Sequence, residues 1–235
     1  GVFAVLGIRS LLCLRASEDR FAAWAQFVWW LVWPIVVSLL FSWLADRFDL
    51  AHGWMLALLA MPWLVAATLS IFRWPWLAAP QGERFTPYRC ALQTVYFSVL
   101  GLWWLFVLFL SGESAPLPWL PLLNPLELAQ LAVLALAVRW LWSEQSPAWL
   151  QRLRLFLLSA GGFLLVTFTT LRAVHHWGNV DWGSSMLSTS LAQTSLTLVW
   201  SVLGVLGWVI GSRRGNRGLW LAGAVLMGVV LVKLM

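Results

Sequence analysis

The chain has 235 residues, of which 61% are hydrophobic and only 10% are charged, whereas a soluble domain carries about 25% charged residues. This composition excludes an ordinary soluble domain, because a soluble domain of this length could not bury so many hydrophobic residues in its core. The net charge of +6 does not indicate nucleic-acid binding, because the arginines stand at the ends of apolar runs, where they face anionic headgroups.

Long apolar runs divide the sequence. A membrane-spanning helix needs about 20 apolar residues, and its backbone groups must be paired within the helix. The runs predict an all-α integral membrane protein, a polytopic helical bundle of about seven transmembrane helices plus a truncated N-terminal one, in a single domain over residues 1–235. In chain order, the predicted spans are 1–14 (partial), 27–45, 54–72, 90–110, 125–142, 153–171, 193–210 and 219–235. Both ends lie inside apolar runs, so we expect a piece of a longer protein.

Basic residues alternate along the polar breaks between these runs. The rich breaks carry three arginines each, and the poor breaks carry one or none. By the positive-inside rule, this alternation places the rich breaks in the cytoplasm of a bacterial inner membrane and residues 175 and 176 on the outer side. The rich breaks contain Arg9, Arg15 and Arg20; Arg73, Arg84 and Arg89; Arg139, Arg152 and Arg154; and Arg213, Arg214 and Arg217. Many of the 20 tryptophans flank the spans, as interfacial indoles do.

The fifth predicted span begins with a helix-start motif. Asn124 can cap the helix, Pro125 suits its first position, and Glu127 completes a capping box. Glu127 and Gln130 also follow each other on one helical face below the predicted outer surface. If the helices are neighbours, these two side chains could meet the histidines described below.

The span predicted at 193–210 carries hydroxylated and small residues at three- or four-residue spacing. Such a face lets helices approach closely and form hydrogen bonds. We expect tight packing within the bundle, and a polar pathway or a homo-oligomer contact is the alternative. The residues are Ser190, Thr194, Thr197 and Ser201, followed by a GxxxG motif at Gly207 and Gly211.

The densest polar cluster on the predicted outer side consists of Arg172, His175 and His176, with Asp181 just beyond. On a continuing helix, Arg172 shares roughly one face with both histidines. An arginine with two imidazoles can hold a phosphate or carboxylate, and a histidine beside Asp181 could relay protons. The alternative is an interfacial cap with a snorkelling arginine. No metal or cofactor motif is present.

Lys233 stands out because it lies about 21 Å into the last predicted span, where an ammonium group is costly unless it snorkels or is paired. Snorkelling to the outer surface is one interpretation. The other pairs Lys233 with an acidic residue near the outer side, such as Glu127.

Four segments of the last third of the chain carry a resemblance. They are Asn124 to Gln130, Arg172 to Trp177, Gln193 to Trp200, and the Gly-rich run closing with Val232-Lys233-Leu234. In this order they resemble the large bacterial polytopic membrane family known as domain of unknown function 2339. The resemblance covers residues 120–235 well and the earlier spans more loosely. It supports the importance of Arg172, His175, His176 and Lys233, and it implies no known activity.

Three functional hypotheses follow, and the sequence does not decide whether the protein is an enzyme. In the first, the protein binds or passes an anionic envelope or lipid-linked substrate at its outer face. Arg172 would hold the anion, His175 and His176 would hydrogen-bond it, and Glu127 and Lys233 would tune the charge. In the second, it is an intramembrane transferase with His175 or His176 as general base. In the third, it is a structural scaffold for membrane-protein partners or a second copy.

Overall fold

The structure, a computed structural model, describes residues 7, 9, 10 and 20–234, and all regular structure in them is helical. Two short 3₁₀ segments, Gly82–Tyr88 and Ser184–Ser188, interrupt the series of α-helices. The α-helices are α1 (Arg20–Arg47), α2 (His52–Phe72), α3 (Trp74–Ala78), α4 (Arg89–Leu108), α5 (Pro125–Leu141), α6 (Ala148–Gly178), α7 (Ser190–Arg213) and α8 (Arg217–Leu234).

Five helical segments in the described residues are long and apolar enough to cross a bilayer. They are Phe21–Arg47, His52–Phe72, Gly82–Leu108, Ala148–Gly178 and Ser190–Arg213. The prediction of an all-helical membrane protein is confirmed in this form, and the count of seven spans stays a prediction. Helix α5 has 17 residues, about 25 Å, and α8 is a shorter apolar helix. The partial span predicted at 1–14 lies largely outside the described residues.

Two helices begin at the caps that their sequences provide. The Asn124 side chain accepts a hydrogen bond from the Glu127 backbone N–H at 2.9 Å, and Pro125 occupies the first turn of α5. Thr189 caps α7 by accepting from the Ala192 N–H at 3.3 Å. These side chains satisfy N–H groups that the first turn of a helix leaves unpaired.

The chain packs as two compact units, and the prediction of one domain over residues 1–235 stays a prediction. The first unit comprises residues 1–118 and 123–162. In it, α2 packs against α1, α4 and α5. The Ser38 hydroxyl donates to the Leu59 carbonyl at 2.7 Å, and the Trp104 indole donates to the Gln130 carbonyl at 3.2 Å. Polar side chains thus join neighbouring helices through backbone carbonyls.

Four further bonds of this kind meet around α3. The Gln26 amide donates to the carbonyls of Leu77, Ala78 and Ala79 at 2.7, 3.1 and 3.0 Å. The Trp30 indole also donates to the Leu77 carbonyl, at 3.0 Å. These carbonyls end a five-residue helix and have no partner within it, so Gln26 and Trp30 satisfy groups that would be costly to leave unpaired in hydrocarbon.

The second unit comprises residues 119–122 and 163–235. Helices α7 and α8 form a close hairpin, in which glycines of one helix lie against the backbone of the other. A Cβ atom added to Gly211 would collide with the Trp220 backbone nitrogen, and one added to Gly207 would lie 3.3 Å from the Gly223 Cα. The second half of α6 is joined to α7 through the Trp200 indole, which donates to the Thr167 hydroxyl at 3.1 Å.

Candidate functional site

The last turns of α6 carry the predicted cluster. Leu171 and Val174 pack into a core shared with the segment after α6 and with the start of α7, which anchors this end of the helix. Arg172 lies between these two positions and is 0% exposed. A guanidinium at such a position costs several kcal/mol unless its charge is compensated. The predicted anion-holding residue is therefore buried in the structure, not displayed on the surface.

His175 is fixed by a backbone carbonyl. Its Nδ1 lies 2.6 Å from the Val180 oxygen, and because a carbonyl only accepts, Nδ1 must carry the proton. This bond leaves Nε2 as the basic nitrogen of the neutral ring. The ring also meets Trp182 edge to face at 5.8 Å. The geometry thus defines which nitrogen of His175 can receive a proton or meet a ligand.

His176 is held by aromatic contacts. Its ring stacks on Trp119 with the centroids 4.8 Å apart and the planes 19° apart. Trp177 meets Trp119 edge to face at 5.7 Å, and the two imidazoles lie 4.6 Å apart. Both histidines are half-buried, Trp119 is buried and Trp177 is exposed. The cluster is therefore an aromatic group with two partly accessible imidazoles, and we call His175, His176, Trp119, Trp177 and Trp182 the imidazole cluster.

Asp181 follows the cluster in sequence and is exposed. The group that orients His175 is the carbonyl of Val180, whereas the sequence pointed to the Asp181 carboxylate as a proton-relay partner. The role of Asp181 in a proton relay stays a prediction.

Glu127 and Gln130 are both 0% exposed and belong to α5 of the first unit. The Glu127 N–H is bonded to the cap Asn124, and the Gln130 carbonyl accepts from Trp104. That these side chains meet the histidines stays a prediction. The side chain of Lys233 lies outside the described part of the structure, so its pairing or snorkelling also stays a prediction.

The hydroxyl groups of α7 bond within their own helix. Thr197 donates to the Gln193 carbonyl and Ser201 to the Thr197 carbonyl, both at 2.7 Å. Such bonds satisfy a hydroxyl in an apolar medium without a second helix. Ser190 and Thr194 are exposed. By contrast, the face of Gly207 and Gly211 is covered by α8 of the same chain.

The described residues contain no group of three or more His, Cys, Asp or Glu side chains that could hold a metal ion. The two neighbouring imidazoles are held by a carbonyl and by an aromatic stack instead. The chemistry available at the cluster is thus hydrogen bonding, proton exchange and aromatic contact.

A comparison with protein families gives a match over nearly the whole chain. The family described as "Predicted membrane protein (DUF2339)" matches residues 2–235. The chain belongs to this family. The resemblance noted in the last third of the sequence is confirmed and extends over the earlier spans as well. No curated protein and no solved structure matches the chain.

Sequence reasoning missed Trp119, which supplies the ring beneath His176. The available signal was a tryptophan directly after Pro118 in a Pro-rich loop, a place where an indole has no helix face to explain it. It also missed Gln26 and Gln93, which are buried in the first unit. Amide side chains inside apolar runs are expected to bond across helices, and this rule would have singled them out.

Proposed function

We propose that this family member binds an anionic envelope or lipid-linked substrate at the C-terminal end of α6, on the outer face of a bacterial inner membrane. The sidedness follows from the alternation of arginine-rich and arginine-poor breaks along the sequence. Membership of a membrane family agrees with this location.

The observation that carries the proposal is the pair of half-buried imidazoles that follows a fully buried arginine. The two imidazoles are in contact, and one is held by a backbone carbonyl and the other by an aromatic stack. They therefore form a surface that is ordered before a ligand binds. Preorganised donors lose little entropy on binding. His175 Nε2 is left to face a substrate because Nδ1 is occupied by Val180.

The chemistry favours an anion. A protonated imidazole donates a charge-assisted hydrogen bond, which is about twice as strong as a neutral one. Arg172 is buried beneath the surface, so the imidazoles would make the direct contacts with the substrate. Glu127 and Lys233 stay proposed modifiers of the local charge.

The test compares a polyprenyl phosphate with the uncharged polyprenol as additives to the purified protein in detergent. A ligand that binds only the folded state at a hundredfold excess over its Kd stabilises by about 2.7 kcal/mol. We expect the phosphate to raise the Tm more than the alcohol does. His176→Phe keeps a flat ring for Trp119 and should lose the phosphate-specific part.

The matched control is His52→Phe, because His52 is exposed in the first unit. It should respond to both additives as the unsubstituted protein does. Equal shifts with the phosphate and the alcohol, or a full phosphate response in His176→Phe, would reduce the imidazole cluster to an interfacial anchor. Arg172→Ala is a poorer probe, since removal of a buried charge also lowers the free energy of unfolding.

One observation favours the transferase as a second candidate. His175 carries its proton on Nδ1 and has Nε2 as its basic nitrogen, with the Val180 carbonyl as the orienting group. A general base of this kind gives a rate that rises with pH as the imidazole loses its proton. If the rate of transfer from a lipid-linked donor did not change between pH 5 and 8, this candidate function would be contradicted.

The scaffold hypothesis has less support. Its strongest feature was the GxxxG face, and α8 of the same chain lies against Gly207 and Gly211. The exposed residues Ser190 and Thr194 remain as candidates for contact with another membrane protein or a second copy.

A further inference from the structure

A groove runs along the first unit between α2 and α5. One cavity in it, near the start of both helices, has a volume of about 350 Å³. A second cavity of about 450 Å³ continues from it along the same pair of helices. Met61, Leu64 and Ala132 line both cavities, so the two adjoin each other, and the groove named below is the first cavity.

The first of these cavities has the dimensions of one lipid chain in one leaflet. Its lining on α2 extends from Trp54 to Leu64, ten residues or about 15 Å of helix, which is half of the roughly 30 Å hydrocarbon core. A dry cavity of about 150 Å³ holds one benzene ring, so about 350 Å³ corresponds to roughly 14 carbons. Length and volume therefore agree on one acyl chain.

Small side chains give the groove its depth. Ala57 on α2 and Ala129 and Ala132 on α5 line its floor, where larger residues would fill the space. Almost all of the exposed lining is apolar. Such a surface offers dispersion contacts to a hydrocarbon and no partner for a polar ligand.

The end of the groove is fixed by hydrogen bonds. The loop before α5 contributes Leu117 and Leu123 to the lining. The Trp54 indole donates to the Ser114 carbonyl at 3.1 Å, and the Gly53 N–H donates to the Glu113 carbonyl at 3.0 Å. The loop is thus attached to the start of α2, and a chain in the groove would lie under leucines of the protein itself.

The groove also opens onto surface that faces lipid in a membrane protein. Met61 and Leu128 belong to its lining and are each about half exposed. Val65 and Leu131 continue the exposed apolar surface on the same two helices. A bilayer chain therefore reaches the groove sideways and never crosses water.

We infer that this groove holds one acyl chain of a membrane phospholipid as a bound lipid, distinct from the lipids that surround the other helices. The inference is independent of the proposed function, because it uses only residues of the first unit. The occupant is a phospholipid and not a polyprenyl lipid, because the first cavity matches one leaflet in length.

The experiment uses a phosphatidylglycerol with a photoreactive group near the end of one acyl chain, incorporated into nanodiscs with the purified protein. After irradiation, mass spectrometry locates the labelled peptides. We expect labelling to concentrate on residues 57–64 and 129–132. Even labelling of all exposed helices, in proportion to their surface, would show ordinary surrounding lipid and overturn the inference.

Two variants of neighbouring residues sharpen the result. Ala132→Phe fills the groove and should lower labelling of these peptides by about tenfold or more, the change that a loss of about 1.4 kcal/mol produces. Leu131→Phe changes an exposed residue outside the lining and should leave labelling unchanged. Unchanged labelling in Ala132→Phe, or displacement of the phospholipid by an equimolar polyprenol, would also overturn the inference. The labelling map of the unsubstituted protein decides the question even if Ala132→Phe folds poorly.

Discussion

Helices within the first unit are joined by side-chain hydrogen bonds, whereas the two helices of the α7–α8 hairpin in the second unit are joined by close backbone contact. Around α3, amide and indole side chains reach across to backbone carbonyls. In the hairpin, Gly204, Gly207, Gly211 and Gly223 omit the side chain, and the two backbones approach directly. Hydrocarbon gives no hydrophobic drive for helix association, so these are two separate ways to replace it.

Substitutions should destabilise these two kinds of helix contact to different extents. A lost donor leaves a carbonyl unpaired, which costs about 1–3 kcal/mol, and the helix remains in place. An added methyl group between two backbones can be accommodated only if a whole helix moves. The comparison therefore predicts larger effects in the hairpin, and the following substitutions test it from the largest effect to the smallest.

Gly211→Ala should have the largest effect. The new Cβ would overlap the backbone of Trp220, and forced overpacking costs about 1–3 kcal/mol or more, so we expect a loss near the upper end of that range. The free energy of unfolding can be measured by titration with a denaturing detergent. The control is Gly228→Ala on α8, where a Cβ would meet no atom within 4 Å. Equal stabilities of the two variants would contradict the close backbone approach.

Gln26→Leu should come next, with a loss of about 2 kcal/mol. It removes the amide that donates to three carbonyls at the end of α3 in a fully buried position. The same unfolding titration measures the loss. Gln193→Leu is the matched control, because its amide donates to the Leu187 carbonyl at an exposed position. A Gln26→Leu protein as stable as Gln193→Leu would show that the carbonyls around α3 do not depend on this side chain.

Trp200→Phe should have the smallest effect of the three, about 1 kcal/mol. It keeps most of the aromatic surface and removes the indole bond to Thr167 between α7 and α6. Hydrogen exchange at the amides of α6 around Thr167 should become faster. Trp208→Phe changes an exposed tryptophan of the same helix and serves as control. Faster exchange in both variants would mean that the effect comes from ring size and not from the hydrogen bond.

The positions of the helices were accessible from the sequence, and their ends less so. The apolar run at 153–171 marks only the hydrophobic part of α6, and the helix extends over Ala148–Gly178. Nearly this whole length is predicted by Pro147, which is suited to a helix start, and by the unbroken run from it to Trp177. The start of α5 was predicted to the residue, since Asn124 and Pro125 specify a cap. The number of spans was not settled, because α5 is short for a bilayer.

The candidate site could be predicted only in part from the sequence. The positions of His175 and His176 at the end of a long helix follow from the apolar pattern. The stack of His176 on Trp119 joins residues more than fifty positions apart, and no periodicity records such a contact. The burial of Arg172 was also missed, because the sequence places this residue near a membrane boundary, where arginines usually snorkel.

The length of α6 has a consequence for the whole molecule. Its 31 residues make a rod of about 46 Å. Even at a tilt of about 40°, the upper end of the usual range, the rod still spans about 36 Å, against roughly 30 Å of hydrocarbon. Part of a helix this long therefore extends beyond the hydrocarbon core at every tilt in this range. Arg152 and Arg154 near one end and the histidines near the other are suited to the headgroup layer. A thicker membrane draws these ends inward and a thinner one exposes them, so the depth of the imidazoles varies with the lipid composition around them.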